Sequence, residues 1–342
     1  MRRVYQLLLC LLAWSLTSCS PRIDVPHTTE EITFESGKFH LAGELRRPLS
    51  DSKYPVVLIV HGDGPATSTK GGWYFPMMEC FLQADYACFS YDKPGYGRST
   101  GEFSRERLRH ERAQILVDAI ELLKKHPSID PERIGLWGIS QAGWVMPLAL
   151  KTTDDVAFMI AVSCGGEDGI EQSAYLVGRQ VLCAGYSEDE ARRMEKLFAA
   201  CCKAQTYNQY AEVAKQLVEN PAVPRDMITG VAPEQDWSPR APDDEGFFDP
   251  MEVIQHVGIP VLAFFGEKDT QVDPYQGKAA YEAALRKAGN THFRVELMPG
   301  VDHDMIQCET GWMEERQKRS WGKWPNFAPE YLDLMEEWLK RL

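Results

Sequence analysis

The sequence predicts an α/β fold, with a mostly parallel sheet covered by helices on both faces. Three observations lead there. Short apolar runs alternate with amphipathic helical patterns along the chain. A serine stands where one apolar run meets a helix, and loops rich in glycine and acidic residues follow other runs. The 342 residues would fit two domains by length, but the unbroken alternation implies one α/β unit carrying an insertion.

Strands are expected near residues 56–60, 87–91, 134–137, 157–162, 260–265 and 293–298. The first, Val56 to Val60, is an apolar run typical of a strand buried on both faces. A helix is expected near 105–125, because Leu108, Ile115, Leu116, Ala119, Ile120 and Leu123 fall on one stripe. From Pro329 the pattern returns with Leu332, Met335, Trp338, Leu339 and Leu342. About ninety residues separate the strand ending near Ser163 from the one beginning at Ile259, far more than a strand-to-helix connection needs. Residues 167–250 are therefore assigned to a cap. Ser187 to Glu190 reads as a helix start, Met194, Leu197, Phe198 and Cys201 continue its stripe, and residues 219–250 form an irregular arm rich in proline and acid.

Residues 138–143 read Gly-Ile-Ser-Gln-Ala-Gly, between a strand and a helix. A sharp strand-to-helix turn holds a serine hydroxyl clear of the sheet, where a base can reach it. Ser140 is thus the candidate nucleophile, with Ala142 in the place of the usual second glycine. A tetrahedral intermediate also needs two donors for its oxyanion. The backbone N–H of Gln141 is one candidate and that of Asp63, in the loop His-Gly-Asp-Gly-Pro at 61–65, the other. An acid and a base should follow the serine in that order. Asp269 lies just past the strand 260–265, and His303 lies in the loop after 293–298. Glu267 and Asp273 compete with Asp269 but sit less directly at the strand end. Trp73, Tyr74 and Phe75 follow the 61–65 loop and are expected to wall an apolar substrate pocket.

Four segments carry a family resemblance: residues 61–65, Tyr-Asp-Lys-Pro-Gly-Tyr-Gly-Arg-Ser at 91–99, residues 138–143, and Gly-Glu-Lys-Asp at 266–269 with Gly-Val-Asp-His at 300–303. On these the chain resembles bacterial serine hydrolases of the α/β-hydrolase superfamily, in the broad group with serine aminopeptidase-like and esterase-like members. The resemblance runs from about residue 30 to the end, and is specific for fold and triad more than for substrate. It implies the α/β-hydrolase fold, with a core formed by residues 30–166 and 251–342. It also implies that Asp92 and Arg98 are scaffold and not catalysts.

The N-terminus, Met-Arg-Arg followed by an apolar run and Leu-Thr-Ser-Cys, reads as a secretory signal over 1–18. Leu-Thr-Ser-Cys resembles the lipobox of bacterial lipoproteins, which makes Cys19 the candidate lipidated residue and 19–29 a tether. The expected location is the bacterial cell envelope, held by the lipid alone; a soluble periplasmic or secreted protein is the alternative. A net charge of −13 excludes the basic footprint that nucleic acid demands. Nine cysteines without regular spacing suggest neither a disulfide framework nor a zinc site. The expectation is a cofactor-independent, metal-free serine hydrolase acting on a small or medium acyl substrate, most readily a carboxylic ester. An aminopeptidase or amidase with the same triad is the enzymatic alternative, and a non-catalytic binding lipoprotein the other.

Overall fold

A computed structural model describes residues 22–50, 52–102, 108–318 and 327–342. The expected signal at 1–18 and Cys19 lie outside the described residues. Among these residues eight strands form one sheet: β1 (His27–Ser36), β2 (Phe39–Pro48), β3 (Tyr54–Val60), β4 (Ala87–Tyr91), β5 (Ile129–Ile139), β6 (Phe158–Val162), β7 (Val261–Gly266) and β8 (Phe293–Met298). Their order is β1-β2-β4-β3-β5-β6-β7-β8. From β4 to β8 every pairing is parallel, whereas β2 pairs antiparallel with both β1 and β4.

β3 shows why the sheet is sandwiched. All seven of its residues are buried, and alternate side chains go to opposite faces. Val56, Leu58 and Val60 join one core cluster, and Val57 and Ile59 the other. The first cluster is covered by α2 (Leu108–Lys124), α3 (Ala142–Leu150) and α8 (Pro274–Lys287), through Leu116, Val145 and Tyr281. The second is covered by α1 (Phe75–Gln83) and α10 (Pro329–Leu339), through Phe81 and Met335. The N-terminal pair β1 and β2 was not anticipated. β1 reads His-Thr-Thr-Glu-Glu-Ile-Thr-Phe-Glu-Ser, with too few apolar residues to register as a buried run, because it is the edge strand with one face toward solvent. It begins at His27, a few residues ahead of the expected start of the core.

The insertion folds as helices α4 (Gly169–Cys183), α5 (Glu188–Cys202) and α6 (Tyr207–Glu219) around their own apolar cluster, with Val177, Val181, Met194 and Leu217 inside. Each helix starts on a side-chain cap. Asp168 accepts from the N–H groups of Ile170 and Glu171, Ser187 from Glu190, and Thr206 from Gln209. Residues 220–250 are irregular apart from two 3-10 turns, and lead into the short α7 (Met251–Ile254). Among the described residues no helix is long and apolar enough to cross a membrane.

One buried polar contact ties the C-terminus to β5. The Trp137 indole N–H donates to the Tyr331 hydroxyl at 3.1 Å, both side chains being almost fully buried. Tyr331→Phe should therefore destabilise the protein by ~1–3 kcal/mol, because the indole N–H loses this partner in an apolar core. Urea unfolding of the two proteins measures this difference.

Candidate active site

β5 ends at Ile139 and α3 begins at Ala142, so the chain turns within two residues. Ser140 takes the turn in the left-handed region, at φ +58°, where residues other than glycine are rare. Its N–H donates to Val162 O at 2.9 Å, and its carbonyl accepts from Gly143 N–H at 2.9 Å. A Cβ on Gly138 would lie 2.6 Å from the Ala142 Cβ. The alanine departure from the usual motif is accommodated because Gly138 has no side chain.

Asp269 follows β7 by three residues and His303 lies in the loop after β8, so both stand with Ser140 at the carboxyl edge of the sheet. Asp269 Oδ2 lies 2.7 Å from His303 Nδ1, and its Oδ1 accepts from Gln271 N–H at 2.7 Å and Val272 N–H at 3.0 Å. Both side chains are buried. A carboxylate can only accept, so Nδ1 carries the proton and a neutral ring leaves Nε2 as the basic nitrogen. The structure thus brings Asp269 and His303 together, while no hydrogen bond among the described residues joins either to Ser140. The competing acids are occupied elsewhere: Asp273 caps α8 through Tyr275 and Gln276, and Glu267 accepts from Gly300 N–H. Beside the histidine, Asp304 is largely shielded from water, which opposes its ionisation. Arg316, hydrogen-bonded at 2.6 and 3.0 Å, nevertheless holds its carboxyl below the usual range.

The 61–65 loop packs directly on Ser140. A Cβ on Gly62 would meet the Ser140 Cβ at 3.3 Å and Ile139 O at 3.2 Å. Neither the Asp63 nor the Gln141 backbone N–H donates to any group among the described residues, and the two side chains meet through Gln141 Nε2 and Asp63 Oδ1 at 3.1 Å. The loop's carbonyls are held from beneath. Lys93 Nζ donates to Gly62 O and to Gly64 O, each at 2.6 Å, and Arg112 donates to His61 O and to the Gln141 side-chain carbonyl. His61 bridges Tyr74 OH at 2.8 Å and Tyr91 O at 2.6 Å; burial, then Lys93, keeps the ring far below its ordinary pKa and neutral. Because a backbone carbonyl can only accept, Nε2 is the protonated nitrogen.

Sequence reasoning overlooked Lys93 and Arg112. Lys93 lies in the 91–99 segment already singled out, and Arg112 interrupts the apolar stripe of α2 between Leu108 and Ile115, which was the available signal. Asp92 behaves as scaffold, accepting from Ser68 N–H at 2.6 Å and Arg98 N–H at 2.9 Å.

A cavity of about 790 Å³ opens between this loop and the cap. Asp63, Gly64 and Gln141 form its floor, and Arg109, Ile170, Phe198, Arg240 and Glu245 are among its walls. Trp73, Tyr74 and Phe75, expected there, are elsewhere. Trp73 and Tyr74 are buried against Phe327 and Trp137, and Phe75 packs half-buried on the same core. Between the loop and α1 the chain makes a 3-10 turn at Lys70–Gly72, and Trp73 and Tyr74 lead from it into the helix with their rings in the core and not in the cavity wall. The cap is tied to the acid loop: Tyr175 OH donates to Asp269 O at 3.0 Å, and Gln172 Nε2 to Gln271 O at 2.5 Å.

A serine on a left-handed turn and an acid–histidine pair, set at the carboxyl edge of one sheet, define the α/β-hydrolase class. The chain belongs to the alpha/beta hydrolase family, whose model matches residues 57–314. It is 25% identical over 259 residues to an uncharacterized 31.7 kDa Escherichia coli protein, covering 71% of this chain and 82% of that one. It is 29% identical over 118 residues to the thiohydrolase aneE of Aspergillus aculeatus, covering 33% and 36%. Among solved structures an esterase of Pyrococcus furiosus superposes with a TM-score of 0.55 at 15% identity, covering 93% and 92% of the two chains. A putative dipeptidyl aminopeptidase IV from Bacteroides ovatus gives 0.53 at 18% identity, covering 92% and 36%. These likenesses establish the fold.

Burial, then Arg112, pushes the Lys93 amine down to about 6. Between there and the unfolded lysine value of ~10.4, the unfolded chain binds a proton that the folded chain does not, so stability rises with pH. This contribution is complete above that window and is lost as pH falls toward 6. Urea unfolding at several pH values from 6 to 9 should therefore show the wild type gaining on Lys93→Met as pH rises. A parallel pH dependence of the two proteins would contradict the assignment.

Proposed function

We propose that this hydrolase is a serine esterase, cleaving a carboxylic ester of a small or medium acyl group through an acyl-enzyme. The observation that carries this reading is the buried Asp269–His303 hydrogen bond at the same sheet edge as the left-handed Ser140. Ser140 Oγ attacks the carbonyl while His303 Nε2 takes its proton and passes it to the departing alkoxide. Water then attacks the acyl-enzyme by the same route in reverse. Asp269 holds the imidazole tautomer, and the N–H groups of Asp63 and Gln141 stabilise the oxyanion. No cofactor or metal enters these steps.

An ester is favoured over an aminoacyl amide by the state of the cap acids. An aminopeptidase must bind an α-ammonium with free carboxylates. Asp168 is used as a helix cap and Glu171 pairs with Lys203. Burial, then Asp273 and Glu171, raises Glu167 to about 7, so that much of its charge is missing near neutral pH. The similarity to a protein named as a thiohydrolase is compatible with acyl transfer from a related ester. At the N-terminus we propose lipidation at Cys19 and attachment to the cell envelope.

A fluorophosphonate probe should label Ser140, and Ser140→Ala should abolish turnover without unfolding the chain. A binding protein on a hydrolase scaffold would not react. Asp269→Asn is expected to lower kcat by up to ~10⁴ by trapping the wrong tautomer, and Asp273→Asn to have little effect on it. kcat/KM for a short-chain p-nitrophenyl ester should exceed that for aminoacyl p-nitroanilides; the reverse order would make the enzyme a peptidase. Cys19→Ala should move the protein out of washed membranes, and its retention there would overturn the anchor.

A further inference from the structure

We propose that Lys93 is a positioning residue for the oxyanion hole, aiming the Asp63 N–H by holding the carbonyl of the same peptide group. The proposal rests on the serine-hydrolase reading above. Gly62 O and Asp63 N–H belong to one planar trans peptide and point in opposite directions. Fixing the carbonyl on the protein side therefore fixes the N–H on the cavity side. Lys93 Nζ does so at 2.6 Å, and holds Gly64 O at the same distance, so both flanks of Asp63 are anchored by one amine.

The loop needs such an anchor. Gly62 and Gly64 carry no side chain to hold the loop, and Gly64 sits at φ +72°, so the backbone here has more freedom than any other residue pair would give it. The anchor itself is rigid. Lys93 is 2% exposed, its N–H donates to Ala66 O at 2.9 Å, and the preceding Asp92 accepts from Ser68 N–H at 2.6 Å. Among the described residues no carboxylate is hydrogen-bonded to the Lys93 amine. A buried amine without an ion pair is costly, and its two carbonyl contacts are what the position gains in return. Two N–H donors for two carbonyls are available even from the neutral amine, so the anchor survives loss of the charge. Arg112 acts on the flanks of this unit, at His61 O and the Gln141 side chain, and leaves the Gly62–Asp63 peptide to Lys93.

The test compares wild type with Lys93→Met, which keeps the stem and removes the donors, and Lys93→Gln, which restores an amide N–H. The substrate is p-nitrophenyl butyrate, and an aliphatic trifluoromethyl ketone serves as the probe that forms a tetrahedral oxyanion on the serine. Removing an oxyanion donor outright costs ~10²–10³ in kcat. Misaiming one donor should lower kcat toward ~10²-fold in Lys93→Met, with KM within about threefold and the ketone affinity falling in step with kcat. Lys93→Gln should recover part of both. A purely structural lysine would instead lower the unfolding midpoint while a folded variant kept its kcat and its ketone affinity. The proposal is overturned if folded Lys93→Met turns over within about threefold of wild type, or if neither variant folds, since Lys93 would then hold the fold and not one donor. A wild type that the fluorophosphonate leaves unlabelled at Ser140 signals failure of the esterase reading itself, whatever the Lys93 variants do.

Discussion

Burial of the parallel strands on both faces is the constraint from which the site follows. In β3, β4, β6 and β7 every residue is buried, so each backbone group along these strands is committed to its neighbours in the sheet. Polar groups come free only where a strand stops. The 61–65 loop follows β3, Ser140 follows β5, Asp269 follows β7 and His303 follows β8. Their gathering at one edge is a property of parallel topology, since parallel strands end on the same side and put residues far apart in sequence within one crevice.

Beneath that edge lie charged and polar groups with few carboxylate partners. His61, Lys93 and Arg112 are buried, and their hydrogen bonds run to backbone carbonyls, a tyrosine hydroxyl and a glutamine side chain. Such groups are expensive to desolvate, which is why the histidine and lysine are driven toward neutrality. Arg112 also titrates below its ordinary value, again through burial, yet an arginine remains charged in any accessible range. A fixed positive charge therefore lies under the loop that is proposed to receive a developing negative one, in a region from which water is largely removed.

The cap is fastened to the same end of the fold. Glu245, in the irregular arm, accepts from the Arg109 and His110 backbone N–H groups at 2.9 Å each, on the first turn of α2 where helical N–H groups lack internal partners. An acid there is further favoured by the helix dipole. The helix so fastened carries Arg112, and α4 reaches the acid loop through Tyr175 and Gln172. Arm, cavity wall and the groups under the 61–65 loop are consequently one connected body of hydrogen bonds.

Much of this was written in local sequence. The central strands announced themselves as apolar runs, and the strand–serine–helix order at 134–143 marked the turn that Ser140 now occupies at φ +58°. Nearness to the strand end favoured Asp269 over Asp273, because a residue just past a strand end is placed by the strand, whereas Asp273 begins a helix and is used by it. Other features had no local signal. β1 is an edge strand with one solvated face, so its composition resembles a loop. Trp73, Tyr74 and Phe75 look the same in sequence whether they wall a pocket or fill a core, and only their packing against partners distant in the chain, such as Trp137 and Phe327, decided that. Lys93 and Arg112 show the same limit most sharply: a lysine in a turn and an arginine on a helix are ordinarily solvated, and only packing of the 91–99 segment and α2 against the 61–65 loop buries them. Local sequence determined which segments become strands and turns, since those depend on neighbours along the chain. Tertiary structure decided which polar groups lose water, because that depends on neighbours across it.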